Sequence, residues 1–175
     1  GNLSHFVDGE GVAEEHTWNP QGQVVSIGAG STQMRFAYDA LNRPSTIVSA
    51  GGDTSRFTWH SSGRIASIRH GNGGTEQWEY RSRNWNGATV WDCTSHVDEM
   101  GRRITYERDG QGWLTRVEGS TRPFTYTRNT KTGFVTVAQS MSATTSYTYD
   151  ARGHITSMRD GLGAVTMYTT NGRGD

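Results

Sequence analysis

The sequence predicts an all-β fold, an antiparallel meander of repeated β-hairpins. Three observations carry that expectation. Short segments such as Ser146-Tyr147-Thr148-Tyr149-Asp150 alternate small polar and aromatic residues, the two-residue period of a strand with one face on a core. The ring that ends such a segment is followed by a tight-turn signature, with glycine or asparagine four residues on, as in Tyr149-Asp150-Ala151-Arg152-Gly153. The pair recurs along the whole chain, with rings at Trp18, Tyr38, Trp59, Tyr80, Tyr106, Tyr126, Tyr149 and Tyr168, 19 to 26 residues apart, which is the mark of a repeat array.

The first strand of each unit is read from this alternation. Arg35-Phe36-Ala37-Tyr38, Arg56-Phe57-Thr58-Trp59, Gln77-Trp78-Glu79-Tyr80 and Pro123-Phe124-Thr125-Tyr126 repeat it. The turn comes next. Asp at its first position and Gly at its fourth suit a type I turn closed by a left-handed residue, and Gly22, Asn42, Gly63, Gly153 and Gly172 take that place. Asn42 is the one non-glycine, and Asn tolerates the left-handed region better than other side chains. At Tyr80, Tyr106 and Tyr126 the next glycine (Gly87, Gly112, Gly133) comes two or three residues late, which reads as a lengthened turn.

The second strand carries apolar residues six and nine positions after the ring: Val24 and Ile27, Pro44 and Ile47, Ile65 and Ile68, Ile155 and Met158. A spacing of three places these side chains on opposite faces of a straight strand. Either both faces are partly covered or a bulge lies between them. A second D-x-x-G element, at Asp8-Gly9-Glu10-Gly11, Asp98-Glu99-Met100-Gly101 and Asp160-Gly161-Leu162-Gly163, returns the chain for the next strand. About eight degenerate units result, treated as one segment over residues 1–175. The pattern is incomplete at both ends, so a piece of a longer array is expected.

Only 32% of residues are hydrophobic, and Gly makes up 23 of 175, as frequent turns require. The 17 basic and 17 acidic residues balance, which argues against a polyanion-binding surface, and no nucleic-acid partner is expected. All but one of the basic residues are Arg. Arg43, Arg64, Arg152 and Arg173, near the turns, suit cross-strand pairing or a solvated surface equally. Cys93 is alone, which excludes an intrachain disulfide. There is no signal-peptide pattern and no apolar run of the ~20 residues that would span a bilayer.

From Trp78 to Gly101 the pattern loosens. Trp78, Tyr80, Trp85 and Trp91 with Arg81 and Arg83 could stack sugars or bases, and Trp85 and Trp91 are the candidate binding residues. The plainer expectation is core aromatics beside a longer rim loop. Catalytic signals are weak throughout. Glu14 and Glu15 are strand neighbours and point to opposite faces. The six histidines, His5, His16, His60, His70, His96 and His154, show no metal-ligand spacing, and no cofactor or metal site is expected. The D-G-x-G turns lack the nine-residue period of calcium-binding β-rolls. No G-x-S-x-G elbow marks a nucleophile, and Cys93 has no partner motif. Arg173-Gly174-Asp175 matches a cell-adhesion tripeptide, but the repeat itself supplies its Gly172-Arg173 context. An enzyme is not expected.

The motif [YW]-[DNHT]-x-x-[GN]-[RHQ] with its trailing apolar residue and D-x-x-G resembles the RHS, or YD, repeat family. Tyr149-Asp150-Ala151-Arg152-Gly153 and Tyr38-Asp39-Ala40-Leu41-Asn42-Arg43 are the best copies, and Asp98-Glu99-Met100-Gly101-Arg102 is similar to the family's D-P-x-G-R linker with Glu for Pro. The resemblance implies a segment of a curved or spiralling sheet that forms the shell of a secreted bacterial polymorphic toxin and encloses a C-terminal toxic domain. Relatives include type VI secretion effectors used in bacterial competition, the encapsulating component of Tc toxins, Gram-positive wall-associated proteins and animal teneurins. The implied partners are the remainder of the same shell and the enclosed toxin; edge-paired copies of the chain are a further expectation. The family's autoproteolytic D-P-x-G-L core is not matched by any stretch of this sequence. The rival expectation is a cell-surface repeat module that binds carbohydrate or serves adhesion.

Overall fold

A computed structural model describes residues 2, 4–7, 9, 13–28, 32–119 and 123–169. Among them every regular element is a strand, and the sixteen strands follow sequence order, each antiparallel to its neighbours in the registers recorded. The chain divides into two compact units, Gly1–Trp78 with Asp98–Gly101, and Glu79–Val97 with Arg102–Asp175.

The first unit holds β1 (His5–Val7), β2 (Ala13–Trp18), β3 (Val24–Ile27), β4 (Met34–Tyr38), β5 (Pro44–Val48), β6 (Thr54–Trp59), β7 (Ile65–Arg69) and the first residues of β8 (Thr75–Trp85). The second holds the rest of β8, β9 (Ala88–Val97), β10 (Arg103–Arg108), β11 (Leu114–Glu118), β12 (Phe124–Arg128), β13 (Val135–Ser140), β14 (Thr144–Tyr149), β15 (Ile155–Arg159) and β16 (Val165–Met167).

The register resolves the odd spacing in favour of a bulge. In β6–β7, Trp59 faces Ile65, but Thr58 faces Ser67, so Ala66 is an extra residue. The same shift recurs at Trp18 and Val24, Tyr38 and Pro44, and Tyr149 and Ile155. An inserted residue inverts the pleat, so positions six and nine after the ring return to one face. Ile65 then lies opposite Trp59, and Ile68 opposite Phe57, two residues before it.

The lengthened turn at Tyr106 is corrected by the same register, and the one at Tyr126 keeps a single extra residue. Arg108 faces Leu114, with the bulge beside it, while Tyr106 faces Val117, the position of a residue two before the ring. Arg128 likewise faces Val135, and Tyr126 faces Ala138. Arginine stands in the anchor position in both copies, and the spacing becomes 20 residues from Arg108 to Arg128 and 21 from Arg128 to Tyr149. Tyr80 sits in the middle of β8, which continues to Trp85. The expected rim loop is instead the two-residue turn Asn86-Gly87, both with positive φ (49° and 83°), as a primed hairpin turn requires.

No hydrophobic side chain among the described residues is buried; only Ser26 and Ser95, among polar residues, are. The anchor side of β2 and β6 is half-buried and the alternate residues, Thr54 apart, are exposed. These strands therefore hold together through lateral contacts between hairpins.

Candidate functional site

The most elaborated feature is the row of anchors and turns. After four of the anchors the next residue opens the turn with the same cradle. Asp39 donates its backbone N–H to the Arg43 carbonyl (2.8 Å) and accepts from the Asn42 N–H (3.0 Å), and its Oδ1 accepts from the N–H groups of Leu41 and Arg43 (both 2.9 Å). Asn19, Asp109 and Asp150 repeat the side-chain cradle. One carboxylate or amide oxygen thus meets two N–H groups that the bend leaves without ladder partners. Asn42 adopts φ 62°, and Gly22, Gly63 and Gly153 have φ of 79° to 94°. Gly172, Arg173 to Asp175, and the Asp8, Glu10 and Gly11 of the first D-x-x-G lie outside the described residues.

Four anchors also reach back to the hairpin before them. Tyr38 Oη donates to the Val24 carbonyl (2.6 Å), Trp59 Nε1 to that of Pro44 (2.8 Å) and Tyr149 Oη to that of Val135 (2.7 Å). Arg128 does the same with Nε to Leu114 (3.0 Å). The accepting carbonyl belongs each time to the first residue of the preceding second strand, where the bulge opens the ladder. An aromatic ring with a polar tip, or an arginine with an apolar stem and a forked head, can both fill this place. Burial raises the Tyr149 phenol above its ordinary range.

The residue after the turn reaches forward. Gln23 Nε2 donates to the Asn42 carbonyl (3.0 Å), and the Arg43 guanidinium lies 5.2 Å from the centre of the Trp59 ring. The Trp113 ring covers Gly133, and the Phe134 ring covers Gly153 with its centre 5.0 Å from that of Tyr149. Neighbouring hairpins are therefore fastened from both sides. On the opposite face the pairs Thr17 and Ser26, Thr58 and Ser67, and Thr148 and Ser157 share hydrogen bonds of 2.6 to 2.7 Å, a row of hydroxyls.

The turn acids are tuned by their partners. The His154 side chain (Nδ1 to Oδ2, 3.0 Å), with further help from backbone N–H groups, holds Asp150 at about 2 against an ordinary 3.8. The Arg43 side chain lowers Asp39 in the same direction. A carboxylate depressed in the folded state stabilises above its unfolded pKa, and that contribution is lost as pH falls through the folded value. The urea midpoint of the protein is therefore expected to fall between pH ~4 and ~2. Asp150→Asn is expected to remove part of that fall; an unchanged profile would show that the pair does not act on stability.

The candidate binding residues separate. Trp85 is exposed at the end of β8 with the Arg83 guanidinium 5.1 Å from its ring centre, and Trp91 is half-buried in β9. Arg83 Nε donates to Asp92 Oδ2 (2.6 Å), beside a cavity of about 510 Å³ also lined by Arg81, Tyr106, Arg108 and Asp109. The ring face that a sugar would need is shared with Arg83. Tyr168 follows β16, is 43% exposed, and donates its N–H to Thr156. Arg152 is exposed on its turn. Sequence reasoning missed Arg108 and Arg128 as anchors. The acidic or amide residue immediately after each, Asp109 and Asn129, was the available signal.

Residues 18–54 and 38–75 match the sequence profile of the family described as RHS Repeat. No curated protein matches the chain. Among solved structures, the chain is similar to the Photorhabdus luminescens Tc holotoxin pore, with a TM-score of 0.65, 16% identity and 92% of this chain covered. It is also similar to TcdB2-TccC3 without its hypervariable C-terminal region, with a TM-score of 0.68, 13% identity and 95% covered. The chain spans 10% of each of those structures' chains. At this identity the likeness shows the shared fold.

Proposed function

We propose that this chain, whose residues 18–75 match the RHS Repeat profile, is a structural segment of the wall of a toxin shell, in a secreted bacterial protein that encloses a C-terminal toxic domain. The observation that carries this reading is the two-way fastening of successive hairpins. Tyr38, Trp59 and Tyr149 each fasten their hairpin to the preceding one, and no hydrophobic residue among those described is buried. A repeat that contacts only its neighbours grows into a surface, and such arrays need further repeats or caps at their ends. β1 and β16 each pair on one side only among the described residues, and their outer edges are the expected joints to the rest of the same wall. In an isolated chain these edges are expected to pair with other copies.

The TcdB2-TccC3 likeness supports a toxin context. The carbohydrate-binding alternative has Trp85 as its only strongly exposed ring at the long hairpin, and Arg83 already lies over it. The test is limited proteolysis of the longer polypeptide. The C-terminal domain is expected to resist protease until the wall is weakened by Trp59→Ala. Equal cleavage with an intact wall would overturn enclosure.

A further inference from the structure

We propose that His70, Glu76 and Glu99 form a divalent-cation site, with zinc as the ion their donors fit best. All three belong to the first unit. His70 opens the turn between β7 and β8, Glu76 is the second residue of β8, and Glu99 comes from the Asp98–Gly101 turn. His70 Nε2 lies 3.0 Å from Glu76 Oε1 and 3.2 Å from Glu99 Oε1, and the three donor atoms fall within 4.8 Å of one another.

The spacing of the donors and their chemical types both fit a cation. A tetrahedral zinc ion holds its nitrogen and oxygen ligands at about 2.0–2.2 Å, and so about 3.3 Å from one another. The His70 separations already sit near that value, and small side-chain adjustments bring the two carboxylates to it. The imidazole in the set selects zinc over magnesium or calcium, which prefer all-oxygen sites.

The surroundings position the donors. Asn72 Nδ2 donates to Glu99 Oε2 (3.2 Å), and its Oδ1 accepts from the Gly74 N–H (2.8 Å). The turn that carries Asn72 is closed by His70 N–H to the Gly74 carbonyl (2.8 Å) and Gly73 N–H to the His70 carbonyl (3.0 Å). Such support orients the ligands of metal sites. A bound ion would tie the Asp98–Gly101 turn to the β7–β8 hairpin, adding a cross-link between parts of the chain that no anchor joins.

Isothermal titration of the chain with zinc chloride tests the site. One zinc per chain is expected, with a rise in melting temperature as zinc saturates. Glu99→Gln, on a half-exposed side chain that tolerates change, is expected to weaken binding by roughly tenfold or more and to abolish the melting shift. Gly74→Ala leaves every donor in place, but its Cβ would lie 2.7 Å from Glu99 Oε2, so it is expected to weaken zinc binding as well. Circular dichroism of each variant confirms that the fold is retained. The absence of any heat or melting shift with zinc would overturn the proposal, as would binding that is the same in Glu99→Gln and His70→Ala.

Discussion

Gly119→Ala is expected to lower stability by about 3–5 kcal/mol and to remove cooperative unfolding at physiological temperature. Gly119 follows β11 with φ 82°, and a Cβ built there would overlap the carbonyl oxygen of Arg103 in β10 and come within 3.2 Å of Ile104 Cα. A flexible side chain could move aside, but a strand backbone held in its ladder cannot, so β10 and β11 must part. Gly63→Ala is the control. It has the same φ of 82° and nothing within 4 Å of its Cβ, so it carries the left-handed penalty alone, about 1 kcal/mol. Thermal unfolding of the two variants separates backbone conformation from contact. Equal losses would mean that the β10–β11 approach is looser than described.

Trp59→Ala is the second large effect, at about 2–3 kcal/mol. That figure is below the cost of a fully buried tryptophan, because Trp59 is only half-buried. The ring lies against the Arg43 guanidinium, faces Ile65 across the hairpin and donates Nε1–H to Pro44. Trp59→Phe keeps much of the ring and loses the donor, leaving the Pro44 carbonyl without its partner, for an expected loss of about 1 kcal/mol. Urea midpoints in that order, Ala below Phe below the natural residue, are the expected result.

These two sites show what the sequence made legible. The strand period, the turn and its left-handed residue all rest on local preferences, so Tyr38, Trp59 and Tyr149 with Asn42, Gly63 and Gly153 could be placed without coordinates. The bulge was not legible. A spacing of three between Ile65 and Ile68 suits either a bulged strand or one covered on both faces, and only the pairing of Thr58 with Ser67 chooses between them. Arg108 and Arg128 were hidden because most copies carry an aromatic ring there, whereas the position requires only an apolar body that ends in a donor. The three donors around His70 were illegible for a different reason. Glu99 lies far along the chain from His70 and Glu76, and only the fold brings it back to them. Gly119 carries no turn motif of its own, and its role rests on the close passage of β10.

Hydrogen exchange of Trp59→Ala beside the natural chain tests most directly whether the anchors fasten one hairpin to the next. Faster exchange is expected in β5 and in the β5–β6 pairing around Thr46 and Val48, which belong to the preceding hairpin, as well as in the turn from His60 to Arg64. Faster exchange confined to His60 to Arg64, with β5 as protected as before, would contradict it.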